Sequence, residues 1–205
     1  MPIYCFPPVE TPESKLLILG SMPGKASLRA AQYYAHPRNL FWPIVTALLG
    51  ASAERSYESR VELLKAGGIA LWDVLASCTR ETSLDADIEK SSIVTNDFVS
   101  FYRAHPKLTH VFFNGAAAAE TYRKYVLRAL PEEMMRLQYQ RLPSTSPAHA
   151  ALSYTQKLAM WECVTQVVNA DRNTHNLGEC SGTKLPSPAR GRRVGDEGVC
   201  KEENQ

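Results

Sequence analysis

KLLIL, Lys15 to Leu19, is a continuous apolar run closed by Gly20, the pattern of a short strand buried on both faces. Two more stretches have this form. Ile69 to Val74 (IALWDV) follows the pair Gly67 and Gly68, and His110 to Phe113 (HVFF) runs into Asn114 and Gly115. A weaker fourth strand, Leu137 to Leu142, precedes Pro143, Ser144, Thr145, Ser146 and Pro147. Helical patterns lie between and after them: Ile44, Ala47 and Leu48 behind Pro43, then Ala116 to Leu130, then Leu152 to Val168. Strand and helix alternating in this way predict an α/β protein, a parallel sheet with helices on both faces. Function then belongs at the C-terminal ends of the strands.

The flanks read differently. Tyr4 to Ser14 is rich in Pro and polar residues and is expected to be an irregular lead-in. From about Asp171 the apolar periodicity stops, so the organisation expected is one domain over 1–170 and a polar, disordered tail over 171–205. Arg190, Arg192 and Arg193 in that tail are available to phosphate groups, with a solvated tail as the alternative. A chain of 205 residues with 44% hydrophobic residues suits one core. No apolar run of about eighteen residues and no signal-peptide pattern is present, so a cytoplasmic protein is expected. The five cysteines form no C-x-x-C pair, which argues against a disulfide framework, a zinc ribbon and a four-thiolate iron–sulfur site. A net charge of +2 does not by itself announce nucleic acid; any contact with a polyanion has to be local.

Two loops concentrate chemistry. Gly20-Ser21-Met22-Pro23-Gly24-Lys25 fails as a P-loop, because three residues separate the glycines and Ala26 follows Lys25. What remains is a tight turn in which Gly20, Ser21, Pro23 and Gly24 let backbone approach a phosphate or sugar, with Ser27 as a candidate helix cap. Tyr33 to Trp42 (YYAHPRNLFW) packs aromatics beside His36, Arg38 and Asn39. Tyr34 and Phe41 are candidates to stack on a flat heterocycle. The alternative for Phe41 and Trp42 is a place in the core.

GSMPGKASL, YYAHPRNLFW, GIALWDVL, VFFNG and LPSTSPAH occur in that order between Lys15 and His149. Together they resemble the uracil-DNA glycosylase superfamily, most closely its hypoxanthine-DNA glycosylase branch. The resemblance implies an α/β/α sandwich around a short four-stranded parallel sheet, with no metal, iron–sulfur cluster or other cofactor. Its implied partner is DNA carrying a deaminated base, bound by a monomer. In other branches an Asp or Asn of the first loop positions the attacking water, but Met22 stands there. The resemblance to the hypoxanthine branch transfers that role to Asn39, for which a helix cap is the alternative reading.

Glycosidic cleavage passes through an oxocarbenium-like sugar, so an amide that only fixes a water is a sensible catalyst. Deaminated bases are lactams, and the amide of Asn114 offers one donor and one acceptor to match. Asp73 stands where relatives carry a base-reading Asn; as a carboxylate it accepts a ring N–H, and an ion pair or cap near Arg80 is the alternative. Ser144, Thr145 and Ser146 are candidate phosphate contacts, and Pro147 to His149 a candidate wedge, although Ala148 is small. His149 is also a candidate donor to the leaving base. No lysine but Lys25 lies in these blocks, so a monofunctional enzyme leaving an intact abasic site is expected. Two rival readings stand beside it: a non-catalytic lesion- or single-strand-binding module, and a hydrolase using Ser146 with His149, which lacks a G-x-S-x-G elbow.

Overall fold

The computed structural model describes residues 1–52, 54–134 and 136–176. The KLLIL run forms β2 (Leu16–Gly20), buried along its whole length. It pairs in parallel with β3 (Ile69–Asp73) on one side and β6 (His110–Asn114) on the other, and β7 (Gln138–Leu142) adds to β6. The order β3-β2-β6-β7 is the expected four-stranded parallel sheet. β7 is the edge, mostly exposed, which is why its sequence carries the weakest apolar signal of the four.

Alternate residues of β2 face opposite layers. Leu17 and Leu19 join Phe98 and Tyr102 of α4 (Phe98–Ala104) and Tyr122 of α5 (Ala116–Tyr125). Leu16 and Ile18 join Phe41 and Trp42 of α2 (Phe41–Leu48), Leu64 of α3 (Tyr57–Ala66), Trp161 of α6 (Tyr154–Trp161) and Val164 of α7 (Cys163–Asn176). The result is an α/β/α sandwich with one core on each face. Among the described residues no helix is long and apolar enough to cross a membrane.

Several boundaries differ from the sequence expectation. The lead-in is not wholly irregular: β1 (Pro2–Tyr4) pairs with β4 (Leu75–Thr79), which pairs with β5 (Val94–Thr95) in a small antiparallel sheet, and Val9 bridges Leu71. The run at 69–74 leaves the parallel sheet after Asp73 and continues into β4. α5 stops at Tyr125 and gives way to a 3-10 turn over Leu127–Ala129, since Leu130 precedes Pro131 and disfavours helix. The pattern at 152–168 divides into α6 and α7. α6 starts at Tyr154 because Ser153 and Gln156 form a reciprocal capping box. α7 runs to Asn176, past the expected domain end at 170; the rest of the proposed tail, with its three arginines, lies outside the described residues.

Candidate active site

All four parallel strands end at one edge, on Gly20, Asp73, Asn114 and Leu142, with Gly20 opposite Asp73 and Asn114 opposite Leu142 in register. A cavity of about 510 Å³ opens over that edge. It is lined by the turn at 20–27, by Tyr33, Tyr34, His36, Arg38 and Asn39, by Asp73, Ser83, Leu84, Asp85 and Asn114, and by Ser144, Ser146, Pro147 and Ala148. Asn39 and Asn114, far apart in sequence, therefore face one space.

Tyr34 forms the wall. Its ring stacks on Phe41 with centroids 4.0 Å apart, and its backbone sits at φ 54, a left-handed conformation costing a non-glycine residue roughly 1–2 kcal/mol. Phe41 is 0% exposed and does not reach the cavity. The expectation that Phe41 contacts the base is corrected: it is the core residue behind Tyr34. The Tyr34 hydroxyl is buried without a hydrogen-bond partner. Burial, then the Asp73 charge, hold its ionisation far above the usual phenol range, while the neighbouring Asn114 amide offsets part of this.

The floor is built around Gly20. A Cβ there would lie 2.4 Å from Asp73 Oδ1 and 2.9 Å from the Tyr34 hydroxyl, so only glycine lets these two groups converge. Asp73 is 3% exposed and its Oδ2 has no partner. The ion pair with Arg80 does not form: Arg80 donates to the Pro23 carbonyl and pairs with Asp85 at 3.4 Å. Burial raises the Asp73 pKa to about 7, Asp85 adds to the rise and Arg80 opposes it.

Asn114 is held by Thr145, which is 0% exposed. The Thr145 backbone N–H donates to Asn114 Oδ1 and Asn114 Nδ2 donates to Thr145 Oγ1, each at 2.8 Å. A backbone N–H can only donate, so the amide orientation is fixed; the second N–H of Nδ2 is left beside the Tyr34 hydroxyl, near enough to favour its ionised form but outside good hydrogen-bond geometry. Thr145 thus faces inward and is not a phosphate contact. Asn39 is half-buried, and its Oδ1 accepts from the Phe41 N–H at 2.9 Å at the start of α2. Leu40 is the N-cap residue of α2, without a side-chain cap bond of its own; Asn39 stands one place before it and also lines the cavity, and fixing Oδ1 leaves Nδ2 as a donor.

Both rims are tied down. On one side Ser21 Oγ donates to Asp85 Oδ1 at 2.7 Å and Lys25 N to Ser83 Oγ at 3.0 Å, beside the Arg80–Pro23 bond. Opposite, Leu40 N donates to the Thr145 carbonyl, Trp161 Nε1 to the Pro143 carbonyl and Lys157 Nζ to the His149 carbonyl. His149 is exposed and does not line the cavity. Ser146 Oγ accepts from Ala148 N rather than meeting an imidazole, so no Ser–His pair exists for the hydrolase reading. Ser27 does not cap a helix; Gly24 precedes α1 (Lys25–Ala30), and Ser27 Oγ accepts from Ala35 N inside the turn. Met22 is buried beneath the first loop.

Sequence reading missed Ser83, Leu84 and Asp85. The one available signal was a lone leucine among charged and hydroxyl residues. Leu84 is 53% exposed at the cavity rim.

A polar cavity thus lies at the C-terminal edge of a parallel sheet, with two amides and a buried carboxyl over a glycine floor, on a sandwich of the glycosylase type. The chain belongs to the Uracil DNA glycosylase superfamily, whose sequence pattern it matches over residues 7–167. It is 39% identical over 129 residues to the hypoxanthine DNA glycosylase of Methanosarcina barkeri, covering 62% of this chain and 79% of that protein. With the hypoxanthine DNA glycosylase of Methanosarcina acetivorans it shares 36% identity over 160 residues, 78% of this chain and 95% of the relative. A solution NMR structure of a candidate uracil DNA glycosylase from Methanosarcina acetivorans superposes with a TM-score of 0.69 at 34% identity, over 82% of this chain and 99% of the other.

Proposed function

We propose that the chain acts as a monomer in the cytoplasm, hydrolysing the N-glycosidic bond of hypoxanthine, and also of uracil, in DNA and leaving an intact abasic site. The carrying observation is that Asn39, Asn114, Asp73 and Tyr34 converge on one cavity over the Gly20 floor. The kinship to two proteins named hypoxanthine DNA glycosylase supports the choice of base.

The target nucleotide leaves the stack at a cost of a few kcal/mol, and stacking on Tyr34 returns about 1–3 kcal/mol of it. The N–H of Asn114 not used by Thr145 faces the lactam oxygen as a fixed donor. Adenine and cytosine present an amino donor at that place, so two donors would meet and the normal base is rejected. As the C1′–N bond breaks, its electron pair leaves with the base. Water held by Asn39 adds to C1′ and releases a proton to solvent. Asn39 does not deprotonate the water; it fixes its position for capture by the sugar cation. Ser144, Ser146 and the turn at 20–24 face the strand backbone, and Leu84 is the apolar rim side chain suited to the gap that Ala148 is too small to fill.

Oligonucleotides carrying one hypoxanthine or one uracil, incubated with the protein and treated with alkali, should break at that position. Absence of product with both would refute the proposal.

A further inference from the structure

Asp73 is the one buried carboxyl facing the cavity whose chemistry the scheme above leaves open. It is 3% exposed, and its Oδ2 has no partner. No cationic group among the described residues forms an ion pair with it, since the Arg80 guanidinium is engaged by Asp85 and the Pro23 carbonyl. A buried carboxylate without a partner is strongly disfavoured and escapes by taking up a proton.

The groups around it point the same way. Asp85, from the loop after β4, adds a like charge, and Arg80 from that loop alone favours ionisation. Tyr33 and Tyr34 from the aromatic loop, and Cys5 from the N-terminal segment, are kept neutral by burial, with Asp73 itself adding to the effect. The balance puts the titration of Asp73 at about 7.

Resting on the glycosylase reading, we propose that Asp73 works as a neutral carboxylic acid, donating a hydrogen bond to the base oxygen on which negative charge collects as the base departs. The departing base receives the glycosidic electron pair and delocalises it onto its lactam oxygen. A neutral acid stabilises that charge, as a preorganised donor in a water-poor site does. The ionised form still accepts a ring N–H, but sets a full negative charge against a departing anion and raises the barrier. Asp73 in this role governs the rate of departure. It does not choose the base, because the acid proton can sit on either oxygen and meet a lactam or an amidine equally; choice falls to the fixed amide of Asn114.

The test is base release from a hypoxanthine oligonucleotide under single-turnover conditions from about pH 5.5 to 9. The wild-type rate should be level below the titration and fall by about tenfold per unit well above it. Asp73→Asn, whose amide donates at every pH, should lose that decline, and Asp73→Leu should be slow throughout. A wild-type rate that stays level to high pH overturns the proposal. So does a decline that persists in Asp73→Asn, as one set by any other group would. Should the variants fold poorly, ¹³C carboxyl resonances of the wild-type protein decide: one aspartate titrating near neutrality supports it, and none doing so overturns it. No base release by wild type at any pH would instead bring down the glycosylase reading and this inference with it.

Discussion

Asp73→Asn should also change how stability depends on pH, with no DNA present. In the folded chain Asp73 titrates at about 7, against 3.8 for an ordinary aspartate. The folded state therefore keeps a proton that the unfolded chain has lost across this window. The resulting stabilisation is complete below the unfolded value, declines as pH rises, and is gone above the folded one. Three units at 1.36 kcal/mol each correspond to about 4 kcal/mol, of which roughly 3 falls between about pH 5 and 8. The variant cannot titrate there, and its unpaired amide shifts its curve by a constant that cancels in the comparison. Urea unfolding of both proteins at the two pH values measures the difference directly. Thermal melts should show wild type losing about 6–12 °C relative to the variant over the same range. Curves that run parallel to within about 1 kcal/mol would show that Asp73 is ionised in the folded protein and that its burial is being relieved by some other means.

Three other outcomes follow from the site. Asn39→Ala should slow base release roughly 100- to 1000-fold, the scale for losing one preorganised polar group, while binding of lesion DNA by gel shift changes little. The same change removes the bond to the Phe41 N–H, and a stability loss of about 1 kcal/mol should accompany it. Gly20→Ala places a methyl 2.4 Å from Asp73 Oδ1, so base release should be lost while thermal unfolding registers only about 1–3 kcal/mol of overpacking; near-normal turnover would mean that the floor gives way. Leu84→Ala should reduce release from duplex at least about tenfold and leave single-stranded substrate nearly unaffected, and a pyrene nucleotide opposite the lesion should restore the duplex rate by filling the stack.

The parallel sheet was legible because β2, β3 and β6 are buried on both faces and their sequences have no polar alternation to confuse the reading. The small sheet was not. β4 reads LASCT and β5 only VT, and such strands exist because β3 runs straight on past Val74, whose N–H bonds the Gly20 carbonyl. That continuation also brings Ser83 to Asp85 to the cavity, so three lining residues come from a pairing no local pattern announces. Asn39, Asn114 and Tyr34, which strand ends and an aromatic loop mark in the sequence, line the cavity. Sequence left Phe41 open between stacking and core and pointed Thr145 outward for one reason: a side chain next to the site in sequence can point away from it, and direction is set by packing against Trp161 and by the Asn114 amide. Asp73 was located correctly, but its freedom from Arg80 depends on a carbonyl of the first loop that sequence cannot place.

The mouth has a fixed gape. One jaw is tied through Arg80, Ser21 and Ser83, the other through Asn114, Trp161 and Lys157, and a swing of either costs several of these hydrogen bonds. Rims tied in this way favour an open mouth, so on the glycosylase reading more of the bending falls to the double helix and sorting starts before any base is touched. A weakly paired or mispaired nucleotide rotates out readily, whereas a sound pair resists, so the compliance of the duplex would add to the selection made by the cavity.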